Sequence, residues 1–172
     1  MIVVNLFGAP GCGKSTVAAG LYSRLKQKGY NAELVSEFAK EITWEGHFTL
    51  LRDQLYLLAH QNRKLERLKG KVDIVVTDSP LLLTLAYVPP NYYGKFKDFV
   101  YEIWESYKNL NIFLERDVEF DKVGRVHDEQ MSASLRDVIS HLTTPDLSFK
   151  TSSVDYDLIE ETVLGRLITH FQ

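Results

Sequence analysis

Gly8-Ala9-Pro10-Gly11-Cys12-Gly13-Lys14-Ser15-Thr16 fills every fixed position of G-x-x-x-x-G-K-[ST], the spacing of a phosphate-binding loop. The residues on either side supply the context that the motif needs. Ile2-Val3-Val4-Asn5-Leu6-Phe7 is a short, largely β-branched apolar run, which predicts a buried parallel strand. From Ser15 to Gln27, Val17, Leu21 and Leu25 recur at four-residue spacing and predict a helix. Glycines in the loop permit backbone angles at which successive N–H groups turn inward around a phosphate, and the helix N-terminus adds partial positive charge. In such a loop Lys14 reaches the β- and γ-phosphates, while the Ser15 hydroxyl ligates Mg²⁺. All nine residues, Gly8 to Thr16, are therefore expected to cradle a nucleoside triphosphate, with ATP and Mg²⁺ as the expected cofactors. Cys12 holds a variable loop position, where bound ATP should shield it from alkylation.

At 172 residues the chain is expected to form one domain with a full core. Its 45% hydrophobic and 25% charged residues match an ordinary globular protein. A net charge of −3 argues against bulk electrostatic attraction to nucleic acid, although a local basic patch is compatible with it. Cys12 is the only cysteine, so no internal disulfide can form, and a reducing, cytoplasmic setting is expected. The sequence goes directly into the first strand, so no secretory leader is expected, and no apolar run approaches the length of a membrane span.

Beyond the first helix, strands and helices alternate. Asn31–Ser36, Val72–Thr77, Leu110–Glu115 and Leu147–Lys150 read as strands. Phe38–Gly46 reads as a short helix or loop, and Phe48–Lys69 as the longest helix, stopped by Gly70. Leu81–Val88 is apolar nearly all round and reads as a short buried helix; Phe96–Tyr107 is another helix. Asp128 is a candidate N-cap for a helix from Glu129 to Leu142, and Asp155–Phe171 closes the chain as a helix. This alternation predicts an α/β fold, a parallel sheet covered by helices on both faces. Ligands of such sheets sit at the C-terminal strand ends, which here carry Gly8–Thr16, Glu37, Asp78 and Arg116.

Those other strand ends narrow the chemistry. No N-K-x-D guanine-reading motif is present, and Asp78 is followed by Ser79-Pro80 rather than by a water-activating glutamate. Phosphoryl transfer to a hydroxyl needs a carboxylate near the acceptor, cations for the migrating charge and a cover against water. Glu37 and Asp78 are the candidate carboxylates. One would orient or deprotonate the acceptor and the other would hold a Mg²⁺-bound water, and the sequence leaves the two roles unassigned. Arg116, with Lys122 and Arg125, suggests a cationic lid over about residues 117–128, because an arginine fork can span two phosphate oxygens. On the long helix Gln54 and Gln61 lie seven residues apart, on roughly one face, with Arg52 and Arg63 beside them. A buried glutamine can read a nucleobase edge because it offers both a donor and an acceptor. Gln54, Gln61, Arg63 and Glu37 are accordingly the candidate substrate contacts, with Phe38, Trp44, Tyr56 and Tyr92 as candidate stacking rings.

Taken with Ser36-Glu37-Phe38-Ala39-Lys40, Thr77-Asp78-Ser79-Pro80-Leu81, Asp53-Gln54, Gln61 and Leu114-Glu115-Arg116 leading to Gly124-Arg125-Val126-His127, the phosphate loop resembles small P-loop kinases of nucleosides and nucleotides. The chain is most similar to their ribosylnicotinamide-kinase-like branch, which includes phage and bacterial proteins of the AAA type. The resemblance implies a three-layer α/β/α sandwich with strand order 2-3-1-4-5, acceptor-side acids at Glu37 and Asp78, and lid arginines at Arg116 and Arg125. It departs at Lys40, where such kinases often carry an arginine, so the charge is kept and the bidentate fork is lost. The implied activity is an ATP- and Mg²⁺-dependent kinase of a nucleoside- or nucleotide-like acceptor. Modified bases in DNA are a second acceptor class, disfavoured by the net charge. A nucleotide-dependent regulatory switch without transfer is a different class altogether, and assembly as a homodimer is left open.

Overall fold

All six residues of Ile2–Phe7 are buried, as a strand covered on both faces requires. They form β1, the centre of a five-stranded sheet in the order β2-β3-β1-β4-β5, where β2 is Ala32–Val35, β3 Ile74–Thr77, β4 Lys108–Glu115 and β5 Leu147–Lys150. Every pairing is parallel, with Val4 opposite both Val76 and Leu110. The structure, a computed structural model, describes residues 1–117 and 129–168. Strand order and layering are those of the expected three-layer sandwich.

Alternation along β1 divides the core between two faces. Ile2, Val4 and Leu6 pack with Val17, Leu21 and Leu25 of α1 (Lys14–Gln27) and with Ile159 and Val163 of α6 (Tyr156–Ile168). Val3 and Phe7 face Leu58 and Leu65 of α3 (Gln54–Glu66), Val100 of α4 (Phe96–Glu105) and Ile139 of α5 (Glu129–Ser140). Between Val3 and Phe7, the buried Asn5 amide donates to Asn109 Oδ1 at 2.8 Å and Asn111 Oδ1 at 3.1 Å. These bonds satisfy a polar group that the interior would otherwise penalise, and they pin the β1–β4 register.

Two expected helices are replaced by tighter structure. The run 48–69 is not one helix: Phe48–Arg52 is a 3-10 segment, and α3 starts afresh at Gln54. Asp53 makes the break, its carboxylate accepting the Tyr56 N–H at 3.0 Å as an N-cap. Leu81–Tyr87 is a 3-10 helix rather than an α-helix. Phe38–Trp44 forms a short α-helix, α2, and with Leu57 of α3 its Phe38 and Ile42 make a small separate core beside the sheet edge. Among the described residues no helix is long and apolar enough to cross a membrane.

Candidate functional site

The chain leaves β1 at Gly8, whose φ of 146° and close approach to the Leu114 carbonyl, 2.6 Å from where a Cβ would sit, exclude a side chain. Gly13 then enters α1 in the left-handed region, with φ 85°. A Cβ at Gly13 would meet Thr151 Cγ2 at 2.5 Å. Two hydroxyls from distant segments hold the loop's carbonyls. Thr151, just after β5, donates to Cys12 O at 2.6 Å and Glu115 O at 3.0 Å, and the buried Ser132 of α5 donates to Pro10 O at 2.6 Å. The loop is thus braced by α5 and by the segment after β5. Lys14 Nζ rests on the carbonyls of Gly8 and Ala9, at 2.9 and 3.1 Å.

Adjacent strand ends bring Ser15 and Asp78 together. The Ser15 hydroxyl donates to Asp78 Oδ2 at 2.5 Å, while Asp78 Oδ1, buried, has no hydrogen-bond partner. A buried carboxylate oxygen left without a donor is costly unless a cation completes it. A hydroxyl and a carboxylate side by side form the oxygen donor set that Mg²⁺ accepts, with water and phosphate oxygens filling its other positions. The residues therefore fit the expected ion. Among the described residues no group of three or more His, Cys, Asp or Glu could hold a metal by itself.

From the loop a cleft of about 730 Å³ runs toward α2 and α3. Gly11, Gly13, Lys14, Ser15 and Thr16 line it together with Glu37, Phe38, Gln54, Gln61 and Tyr87. Its volume is that of pockets that enclose whole organic ligands. Lys40 and Arg52 also line it, so acceptor-side cations are present as well as Glu37. Burial, followed by the nearby Glu37 charge, pushes the Tyr87 phenol above its ordinary range, so it faces the cleft as a protonated hydroxyl.

The fold assembles most of the residues singled out from sequence and separates others. Gln54 is buried against the cleft, its Nε2 donating to Leu51 O at 2.7 Å. Phe38 lines the cleft and stacks on His60 at 4.3 Å, with Tyr56 tilted at 5.8 Å. Tyr92 instead accepts the Leu55 N–H at 3.0 Å and packs edge-on against Phe96, and Trp44 is exposed away from the cleft. Arg63 is not in the cleft: it lines a separate shallow groove between α3 and α4, with Leu55, Ala59 and Phe99. Cys12 is fully buried in the core, so protein rather than nucleotide shields its thiol. Arg116 follows β4 directly and does not line the cleft. Arg125, Lys122, His127 and the Asp128 cap lie outside the described residues.

A family model described as an AAA domain matches residues 3–154. The chain belongs to the AAA domain family. Among solved structures, this AAA-domain chain is similar to a deoxyadenosine kinase from M. mycoides with dCMP and dCDP bound. Identity is 18%, the TM-score 0.58, and 97% of this chain and 99% of that one are covered. The same kinase with dATP bound gives a TM-score of 0.55 at 18% identity, covering 95% and 98%. Kti12 from Chaetomium thermophilum, in complex with ADP-AlF3, gives 0.55 at 15% identity, covering 94% and 98%. At these identities the likeness is one of fold, the three-layer α/β/α P-loop sandwich. No curated protein matches the chain.

Sequence reasoning passed over several cleft residues of this AAA domain: Phe48, Leu83, Thr84, Tyr87 and Met131. Leu83, Thr84 and Tyr87 lie in an apolar stretch that reads as core, and nothing in local spacing separates a residue lining a cleft from one packed beneath it. Ser132 and Thr151 were equally silent, because their partners lie 122 and 139 residues away.

Proposed function

We propose that the chain is an ATP- and Mg²⁺-dependent phosphotransferase acting on a nucleoside- or nucleotide-like small molecule. The observation that carries this reading is one cleft lined both by the phosphate loop and by Glu37, Phe38, Gln54 and Tyr87. Such a cleft has room for an acceptor beside the terminal phosphate, with a carboxylate and an aromatic ring to hold it. The likeness in fold to a deoxyadenosine kinase supports the same acceptor class.

The geometry supports a division of labour between the two carboxylates. Asp78 engages Ser15 and belongs to the metal end, whereas Glu37 lines the cleft. Glu37 would orient the acceptor hydroxyl and take its proton as that oxygen attacks the terminal phosphorus and the bond from that phosphorus to the ADP oxygen breaks, releasing ADP. Lys14 would exchange the Gly8 and Ala9 carbonyls for phosphate oxygens, lending its charge to the migrating group. Bound Mg²⁺, held through Ser15 and Asp78, would supply charge neutralisation at the β- and γ-oxygens.

The test is transfer of radiolabelled γ-phosphate from ATP across nucleosides, nucleotides, nicotinamide riboside and hydroxymethylated DNA. We expect transfer to a small-molecule acceptor, falling by about 10²–10³-fold in Lys14→Ala with the fold retained. Transfer to DNA alone would select the polymer-modifying reading. Tight ATP binding with transfer to no acceptor would select the regulatory switch.

A further inference from the structure

Glu37 sits at the N-cap of α2, with φ −62° and ψ 122°, and its side chain makes no capping bond to that helix. The usual N-capping side chains are the shorter Ser, Thr, Asp and Asn, which accept from the second or third helical N–H. The first helical N–H, that of Phe38, is served by a residue of another helix. Gln61 of α3, only 4% exposed, accepts the Phe38 N–H through Oε1 at 3.1 Å. Its Nε2 reaches the Ser36 carbonyl at 3.4 Å. These are the two peptide groups on either side of Glu37, so one amide holds both. Lys64, one turn further along α3, adds a second donor to Ser36 O at 3.2 Å and pairs with Glu41 of α2. One partner is a donor and the other an acceptor, so the amide can meet both in only one orientation.

We infer that Gln61 is the positioning residue for Glu37: it clamps the backbone on both sides of that residue and so fixes where its side chain enters the cleft. This inference rests on the kinase reading and assigns Gln61 a different task from reading a nucleobase. Gln61 lines the cleft, but both ends of its amide already hold backbone partners. The clamp calls for a neutral side chain with one donor and one acceptor at this length, which among the amino acids is glutamine. A glutamate would keep the acceptor for Phe38 N–H but set a second carboxylate beside Ser36 O and Glu37.

Two isosteric variants of the full chain test it, Gln61→Met and Gln61→Glu, with thermal melting used to check that each is folded. Amide hydrogen exchange at Phe38 gives a readout independent of activity. We expect Phe38 exchange to accelerate at least tenfold in Gln61→Met but much less in Gln61→Glu, which retains the acceptor. We expect kcat to fall 10- to 100-fold in both, by a similar factor for every acceptor the wild type uses. The KM values for ATP and acceptor should stay within about threefold. A loss concentrated in acceptor KM, and differing between acceptors with different base edges, would overturn positioning in favour of base reading. Wild-type kcat in Gln61→Met would overturn it too, leaving the kinase reading intact. A wild-type protein with no transfer activity defeats the kinase reading and this role along with it, even if Phe38 exchange responds as expected.

Discussion

Two carboxylates at neighbouring strand ends look interchangeable in sequence, and side-chain contacts separate them. Asp78 takes the Ser15 hydroxyl and keeps one buried oxygen without a donor, whereas Glu37 lines the cleft and its charge is felt by the Tyr87 phenol. Different kinetic signatures follow. Asp78→Asn should raise the half-saturating Mg²⁺ concentration by about 10- to 100-fold, the scale at which groups supporting a metal site act. Glu37→Gln should leave the Mg²⁺ requirement in place and lower kcat by about 10²–10⁴-fold, the range for a general base. Magnesium titrations of initial rate in both variants check this, and the opposite pattern would exchange the two roles. Arg63 shows what residue-level reading can already exclude. It lies two positions after the cleft-lining Gln61, which is about 200° around a helix, so the periodicity that unites Gln54 with Gln61 also turns Arg63 away.

Among the elements, α6 returns across the sheet to α1, and a buried charge fixes the contact. Glu160, 3% exposed, pairs with Arg24 and Lys28. Burial works to raise its carboxyl, but hydrogen bonds and charge from the two cations outweigh this and hold it below the ordinary glutamate value. A carboxyl depressed in the folded state stabilises the protein above its unfolded pKa, and this is lost as pH falls through the folded value. Glu160→Gln should therefore destabilise by about 1–2 kcal/mol at pH 7, discounted from fully buried pairs because both cations are partly exposed. The deficit should shrink toward zero well below pH 4, as followed by urea denaturation. At the other end of the sheet, the 3-10 segment Phe48–Arg52 delivers Arg52 to the cleft. If the acceptor carries a phosphate, Arg52→Ala should raise its KM about tenfold and leave the KM of the matching nucleoside within about twofold. Steady-state kinetics on each pair tests this. The break that creates the segment was hidden in the sequence because Leu51, Leu55 and Leu58 keep helical spacing through it. Only the Asp53 carboxylate, turned onto Tyr56 N–H, ends one element and starts the next.

For the whole molecule, what was legible followed the range of the forces involved. β1, the loop and α1 are contiguous, and their burial pattern and backbone angles can be read from neighbouring residues. Strand order is a matter of which distant segments pair; alternation of elements predicts a parallel sheet, and the order 2-3-1-4-5 came from the family resemblance. The far wall of the cleft was least legible, since Tyr87 and Met131 reach it only once three elements have packed. The same long-range assembly bears on how a nucleotide should act on the fold. The loop is tied to α5 through Ser132, to the segment after β5 through Thr151, and to β3 through the Ser15–Asp78 contact. A ligand that completes the loop should therefore stabilise the cooperative unit as a whole and not just a surface turn. ATP with Mg²⁺ at a hundred times its Kd adds about 2.7 kcal/mol, which for a chain of this size is roughly 5–10 °C in Tm. We expect one melting transition that moves upward intact, a smaller shift with ATP and chelator, and almost no Mg²⁺-dependent increment in Ser15→Ala. Scanning calorimetry under the three conditions decides it. An unmoved main transition, or a shift confined to a minor early one, would mean that these braces do not couple the loop to the sheet.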